Sequence, residues 1–162
     1  MKRDRWLYLL VPLMLIIMGG MLSCRSAGGR PIAFRTLTDT PSWCVEDGPK
    51  YLVVTEKNWT SFYSKPPTSA DFAGNIYFVA SLGTKPTPAY TIKLLAISQL
   101  GDEVKISLEL EEPEPGKFYP QVIVYPIVVA EVARSQLPQG KLLSFVFVDQ
   151  KGTLLAKVES EI

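Results

Sequence analysis

Val104-Lys105-Ile106-Ser107-Leu108-Glu109-Leu110-Glu111 decides the fold class. Apolar Val104, Ile106, Leu108 and Leu110 alternate with Lys105, Ser107, Glu109 and Glu111 without a break. Successive side chains of a strand point to opposite faces, so this segment has one dry and one wet face, as a half-exposed β-strand requires. Just upstream, Leu100-Gly101-Asp102 has the composition of a hairpin turn. Before that turn, Tyr90, Ile92 and Leu94 share one face while Thr91 and Lys93 share the other. A two-stranded hairpin is therefore predicted across residues 90–111.

On either side of this hairpin the pattern stays β. Ile76–Leu82 is a short apolar strand, and Gln121–Val132 is a long apolar stretch interrupted at Pro126. Proline cannot donate to a ladder, so that interruption predicts a bulge or an edge position. Lys141–Asp149 and Thr153–Glu159 read as a last hairpin around Gln150-Lys151-Gly152. Toward the N-terminus, Tyr51–Thr55 reads as a strand. Thr55 is placed to cap a short helix over Glu56–Ser64, with Glu56 in the first turn and Trp59, Phe62 and Tyr63 at helical spacing. Pro66-Pro67 ends it. Ile32–Leu37 forms one further strand, followed by the turn-formers Asp39, Pro41, Gly48 and Pro49. About seven strands, short turns and one short helix predict a mainly β domain, an antiparallel sandwich or half-barrel spanning residues 31–162. No internal repeat is visible, and Glu111–Pro120 is a single Pro/Glu-rich loop.

The first residues have a different character. Lys2, Arg3 and Arg5 precede an apolar run from Trp6 to Met18, followed by Gly19-Gly20-Met21-Leu22-Ser23-Cys24. A basic end, an apolar middle and small residues at the cut are the parts of an export signal. The apolar run is roughly 13 residues, short of the about 20 that a membrane-spanning helix needs. With a cysteine directly after Ser23, the segment resembles a bacterial lipoprotein signal, although Met21 and Leu22 stand where such signals usually carry Leu and a small residue. Residues 1–23 are then the signal peptide, Cys24 carries the lipid, and residues 24–30, with Arg-Ser-Ala-Gly-Gly-Arg after the cysteine, form a flexible tether. An uncleaved anchor and simple cleavage with release are the alternatives. All three place the remainder beyond the inner membrane. Arg25 is not the Asp that commonly retains lipoproteins there, so the expectation is an outer-membrane protein facing the periplasm or the cell surface.

Charge and composition exclude several functions. The net charge of +1 comes from 17 basic and 16 acidic residues; the leader holds three of the former and one of the latter, leaving 14 and 15. A near-neutral domain without a clustered basic face is not expected to bind nucleic acid. There is no histidine, so the commonest general base and metal ligand are both missing. Beyond Cys24 the chain has one cysteine, Cys44. It is expected as a free, half-buried thiol; an intermolecular disulfide, or a bridge to an unlipidated Cys24, stays open.

Several spaced features of residues 51–132 set the chain beside a known group. In order they are Trp59, Asp71-Phe72, Ile76–Gly83, Tyr90-Thr91-Ile92, Pro113-Glu114-Pro115-Gly116 and Tyr125-Pro126. Their sequence and spacing resemble the PrcB family, lipoproteins named after a subunit of a surface protease complex. Pro88-Ala89 stands where that family usually has Gly-Gly, which replaces a permissive backbone by a stiff one. The resemblance implies a non-catalytic accessory or assembly subunit of the cell envelope, working through protein contacts and associated in one relative with a secreted protease.

Two loops are the candidate working surface. Gly83-Thr84-Lys85-Pro86-Thr87-Pro88-Ala89-Tyr90 carries two prolines that pre-order it, which lowers the entropy lost when a partner binds. Lys85, Pro86, Thr87 and Pro88 are the candidate contacts; the plain alternative is a rigid turn with Tyr90 in the core. The loop also resembles the proline-threonine loops of immunoglobulin-like inhibitors of cysteine proteases, which makes inhibition through Lys85–Ala89 an alternative function. A structural envelope lipoprotein without a discrete ligand is the second alternative. In Glu111–Pro120, Phe118 and Tyr119 are candidate partner anchors or, alternatively, are buried under the loop. Its three carboxylates lack the alternating order of a calcium loop and read as solvated. Asp71 is expected to satisfy backbone donors in a loop, and Asp102-Glu103 to serve a hairpin. No Ser-x-x-Lys is present, so a serine nucleophile has no base. Asn58-Trp59-Thr60 matches a glycosylation acceptor, of little meaning in a bacterial-type chain. No catalytic, cofactor or metal site is predicted.

Overall fold

The computed structural model describes residues 29–37, 48–62 and 70–162. Residues 1–23 and Cys24, Cys44, Tyr63 and Pro66-Pro67 lie outside them. The strands are β1 (Arg30–Pro31), β2 (Arg35–Leu37), β3 (Lys50–Val54), β4 (Asn75–Ser81), β5 (Thr91–Leu100), β6 (Glu103–Glu111), β7 (Ile127–Ala133), β8 (Leu142–Val148) and β9 (Leu154–Glu161). They form two sheets, ordered β1-β5-β6-β8-β9 and β2-β7-β4-β3. The sheets pack face to face and do not close into a barrel, so the architecture is a sandwich.

The alternating segment behaves as its period dictates. β5 and β6 pair from Thr91↔Glu111 to Leu100↔Glu103, closing at Gly101, whose φ of +62° permits the tight turn. The ladder slips once between Leu94 and Ala96, a bulge that turns Leu95 outward. Val104, Ile106 and Leu108 point inward and are fully buried against Phe145, Phe147 and Leu143 of β8 and Ile76, Phe78 and Ala80 of β4. The rings of Phe78 and Phe145 lie 5.4 Å apart across this core. Each such side chain contributes about 1.5–3 kcal/mol by leaving water.

β4 is buried on both faces, which is why Ile76–Leu82 reads as an unbroken apolar run rather than an alternating one. Its other face, Tyr77 and Val79, joins Val54, Phe72 and Val129 in a second cluster outside the four-stranded sheet. Trp59 stacks on Phe72 at 5.7 Å and seals that cluster.

Three details differ from the sequence expectation. The strand expected over Ile32–Leu37 is reduced to β2, Arg35–Leu37, because the chain leaves β1 in the other sheet at Pro31, drops Ile32 into the core and crosses the sandwich edge before β2 begins. The helix over Glu56–Ser64 is, within the described residues, a turn ending in one 3-10 turn at Trp59–Ser61. The Asn58 side chain causes this: its Oδ1 accepts the Thr55 N–H at 2.7 Å and its Nδ2 donates to the Val53 carbonyl at 2.9 Å, folding the chain too tightly for an α-helix. Finally, β6 and β8 are parallel, the exception among the named ladders. Between them the chain passes through β7 in the opposite sheet, which supplies the long crossover that parallel neighbours need.

Candidate functional site

At one end of the sandwich the Gly83–Tyr90 loop meets Gln121–Pro126, the connection that follows the Glu111–Pro120 loop. The first leaves β4 through Leu82, whose N–H donates to the Pro126 carbonyl at 3.0 Å. Gly83 follows with φ +69°, and a Cβ there would lie 2.7 Å from the Gly48 carbonyl. Glycine is thus required both by conformation and by close approach. Lys85 and Val124 then pair backbone to backbone as an isolated antiparallel bridge. Beyond it, Pro86–Ala89 curls into a turn in which the Thr87 carbonyl accepts the Tyr90 N–H at 3.4 Å.

The candidate residues of this loop divide by exposure. Thr87 is buried, with 5% of its surface accessible, and its hydroxyl accepts the Ala89 N–H. Lys85 is half-buried, its ammonium 5.0 Å from the centre of the Tyr90 ring, within cation–π range. Pro86 and Pro88 are exposed. Tyr90 is partly buried and packs against the main core.

The second loop is braced by its own polar groups. The Tyr119 hydroxyl accepts the Glu114 N–H at 3.1 Å, and Lys117 closes on the Glu114 carboxylate at 2.6 Å. Tyr119 is therefore half-buried, whereas Phe118 is left 95% exposed. At its base, the Thr91 hydroxyl and the Lys93 ammonium hold the Glu111 carboxyl below its ordinary pKa, at 2.6 and 3.1 Å. Lys93 also reaches Glu109 at 3.4 Å. These carboxylates are engaged with cations.

Sequence reasoning missed the continuation. Val122, Ile123 and Tyr125 are exposed alongside Phe118. The regular ladder begins only at Ile127, so Gln121–Pro126 is a connection rather than the first half of a strand, and it opens with a tight turn in which the Pro120 carbonyl accepts the Val122 N–H at 3.2 Å. Pro120 and Pro126 bracket it, and that was the available signal: two residues without N–H groups isolate a short segment from a ladder. An open groove of about 280 Å³ runs between this connection and the start of β5, walled by Pro88, Tyr90 and Ile92 on one side and Val124, Tyr125 and Ile127 on the other.

Asp71 and Asp102 are not brought together. Asp71 Oδ1 accepts the N–H groups of Ala73 and Gly74, each at 3.1 Å, and so serves a turn as expected. Asp102 sits in the β5–β6 turn of the other sheet, 3.5 Å from Lys141. Among the described residues no three His, Cys, Asp or Glu side chains are grouped to hold a metal ion. Cys24 and Cys44 lie outside the described residues.

Residues 76–133 match the family model described as PrcB C-terminal. This bears out the resemblance over β4 to β7, a span that contains both loops and the groove; Trp59 and Asp71-Phe72 fall outside it. No curated protein and no solved structure matches the chain.

Proposed function

We propose that this chain is a lipid-anchored cell-envelope protein that acts as a non-catalytic accessory or assembly subunit through protein contacts. The contact surface is the end of the sandwich where Lys85–Tyr90 meets Phe118–Pro126. One observation carries this reading: Phe118, Val122, Ile123 and Tyr125 stand exposed on a single connection. Contiguous exposed apolar side chains, aromatics above all, mark sites where another macromolecule covers them. The PrcB resemblance supports an envelope partner, a secreted protease in the version that family implies. The leader supports attachment through Cys24 with the domain beyond the inner membrane, on the outer membrane. The lack of histidine supports a role without bond-making.

The geometry favours the apolar connection over the proline-threonine loop as the primary contact. With Thr87 buried and Lys85 paired to Val124, a loop inserting into a protease cleft would first have to leave its own bridge. Titration against secreted proteases separates the two readings, because an inhibitor produces stoichiometric loss of activity.

The proposal is tested in intact cells with a photo-crosslinking residue at Phe118 and, as control, at Lys105. A defined adduct at 118, absent at 105 and lost in Ile123→Ser, is expected. The same adducts from both positions refute a specific surface. Palmitate incorporation tests the anchor: labelling must disappear in Cys24→Ala.

A further inference from the structure

Resting on the reading that Cys24 carries the lipid, we propose that the sandwich stands on the bilayer by the end that bears Leu100 and Leu142. The opposite end, with Lys85–Tyr90 and Gln121–Pro126, is then held off the membrane for a partner in the aqueous compartment. What points there is the place where the chain enters the fold. Arg30 and Pro31 pair with Gln99 and Ser98, and the buried Ile32 donates its N–H to the Ile97 carbonyl at 2.9 Å. Arg30 Nη2 also donates to Gln99 Oε1 at 3.0 Å and to the Gln136 carbonyl. Gly29 lies so close to the Gln99–Leu100 backbone that a Cβ would collide with the Gln99 carbonyl. The entry is therefore pinned beside Leu100, and from Cys24 to Gly29 the chain can span at most about 18 Å.

Two exposed leucines occupy that end. Leu100, the last residue of β5, is 72% exposed, and Leu142, the first residue of β8, is 61% exposed. Both lie on the outer face of the five-stranded sheet. Leu100 pairs with Glu103 and Glu103 with Ser144, and Leu142 stands two residues before Ser144 on the same face. Residues 38–47 connect β2, which heads toward the Ile127 end, to Gly48, which lies against Gly83. Phe62 and Ala70, on either side of residues 63–69, lie beside Tyr51 and in the outer cluster of the four-stranded sheet. The flanks of both segments thus belong to the other end or the other sheet.

Two leucines by themselves are ordinary surface residues. A lipid on so short a tether changes that. Contact with the bilayer becomes intramolecular, at an effective concentration on the order of millimolar, and each leucine that enters the headgroup boundary leaves water. Charge does not oppose the approach. Lys141 pairs with Asp102 at 3.5 Å, Lys57 with Glu161 at 3.2 Å and Lys157 with Glu159 at 3.7 Å. Lys105 and Glu103, two residues apart on the same outer face, offset each other. A nearly balanced end has no need of anionic lipid, so the occupant is the neutral headgroup boundary. β5 runs from Leu100 back to Thr91, ten residues or about 30 Å. With β5 upright, the surface beyond Thr91 stands about that far above the lipid, out of reach of a partner's membrane-embedded segments.

The test uses the full chain, purified from membranes and reconstituted into phosphatidylcholine vesicles, with a photo-crosslinking residue in turn at Leu100, Leu142, Phe118 and Ile123. Lipid adducts, read by mass, are expected at 100 and 142 in yields at least about tenfold above those at 118 and 123. Equal yields at the two ends, or the higher yield at 118 and 123, overturn the proposal. With the crosslinker at Asp102, Leu100→Ser combined with Leu142→Ser is expected to lower the lipid adduct by at least about threefold. An unchanged yield means that the tether alone sets the approach, and overturns the leucine contact. Palmitate labelling of the same preparations separates the two readings. Labelled protein that fails either crosslinking test removes only this orientation and leaves the lipid anchor standing. Protein that takes up no palmitate removes the anchor, and the orientation with it.

Discussion

Lys85 and Val124 exchange both backbone hydrogen bonds, N–H to carbonyl in each direction at 2.9 Å, and so tie the β4–β5 connection to the β6–β7 connection. These connections are distant in sequence, and each alone is an exposed loop. Joined, they form one surface whose shape depends on how the first loop leaves β4. That departure is fixed at Gly83, where φ is +69° and the Gly48 backbone lies against the Cα. Gly83→Ala is expected to cost more than about 1 kcal/mol, because a side chain meets both an unfavourable backbone conformation and a rigid neighbour. Urea denaturation measures the loss. Faster amide exchange at Val124 shows that it is felt across the bridge.

Exposed apolar residues at a docking surface serve binding, not folding. Phe118→Ser and Ile123→Ser remove side chains that are 95% and 65% exposed. Each is expected to change unfolding free energy by less than about 0.5 kcal/mol, as surface substitutions usually do. The same changes are expected to reduce binding of a hydrophobic dye. A large loss of stability in either variant indicates that the connection packs inward.

Acid sensitivity follows from the last hairpin. Asp149 Oδ1 accepts the N–H of Lys151 at 2.9 Å and of Thr153 at 2.7 Å, in the turn between β8 and β9. Burial raises the carboxyl pKa, but these bonds and the Lys151 charge outweigh it and leave the group below its ordinary value. A carboxylate depressed in the folded state contributes stability above its unfolded pKa, about 3.9. That contribution is lost as pH falls through the depressed value. Asp149→Asn is expected to lower the thermal midpoint at neutral pH and to flatten its decline below about pH 4, measured by circular dichroism across a pH series. Glu111, depressed by Thr91 and Lys93, adds to the decline with the same sign.

The sheet was legible where one face is dry and the other wet. Val104–Glu111 states its own strand, face and hairpin partner through side-chain period alone. Period says nothing about which sheet a strand joins, so the parallel β6–β8 neighbours and the crossing from Arg30–Pro31 in one sheet to Arg35–Leu37 in the other could be read only from tertiary packing. The site was half legible. Prolines located both loops, but exposure depends on what lies above a residue, and sequence cannot supply that for Thr87 or Ile123. Gln121–Val132 reads as one long apolar stretch interrupted at Pro126, and an apolar run does not by itself tell which of its residues lie outside the ladder.

The missing helix leads to the last prediction, because one side chain opposes the local propensity. Trp59 and Phe62 have helical spacing, yet Asn58 bonds to both Val53 and Thr55 and forces a tight turn directly after β3. The Thr55 carbonyl then accepts the N–H groups of both Asn58 and Trp59, which swings Trp59 onto Phe72. Asn58→Ala leaves the partly buried Thr55 donor and Val53 acceptor unsatisfied, at a cost of about 1–3 kcal/mol. It also releases the constraint that holds the indole over the outer cluster of Tyr77 and Val79. The expected result is a lower urea midpoint with a red shift of the Trp59 fluorescence, resolved by assigning the other tryptophans with Phe replacements. An unchanged Trp59 spectrum in a destabilised variant means that stacking on Phe72, rather than the Asn58 clamp, holds the turn in place.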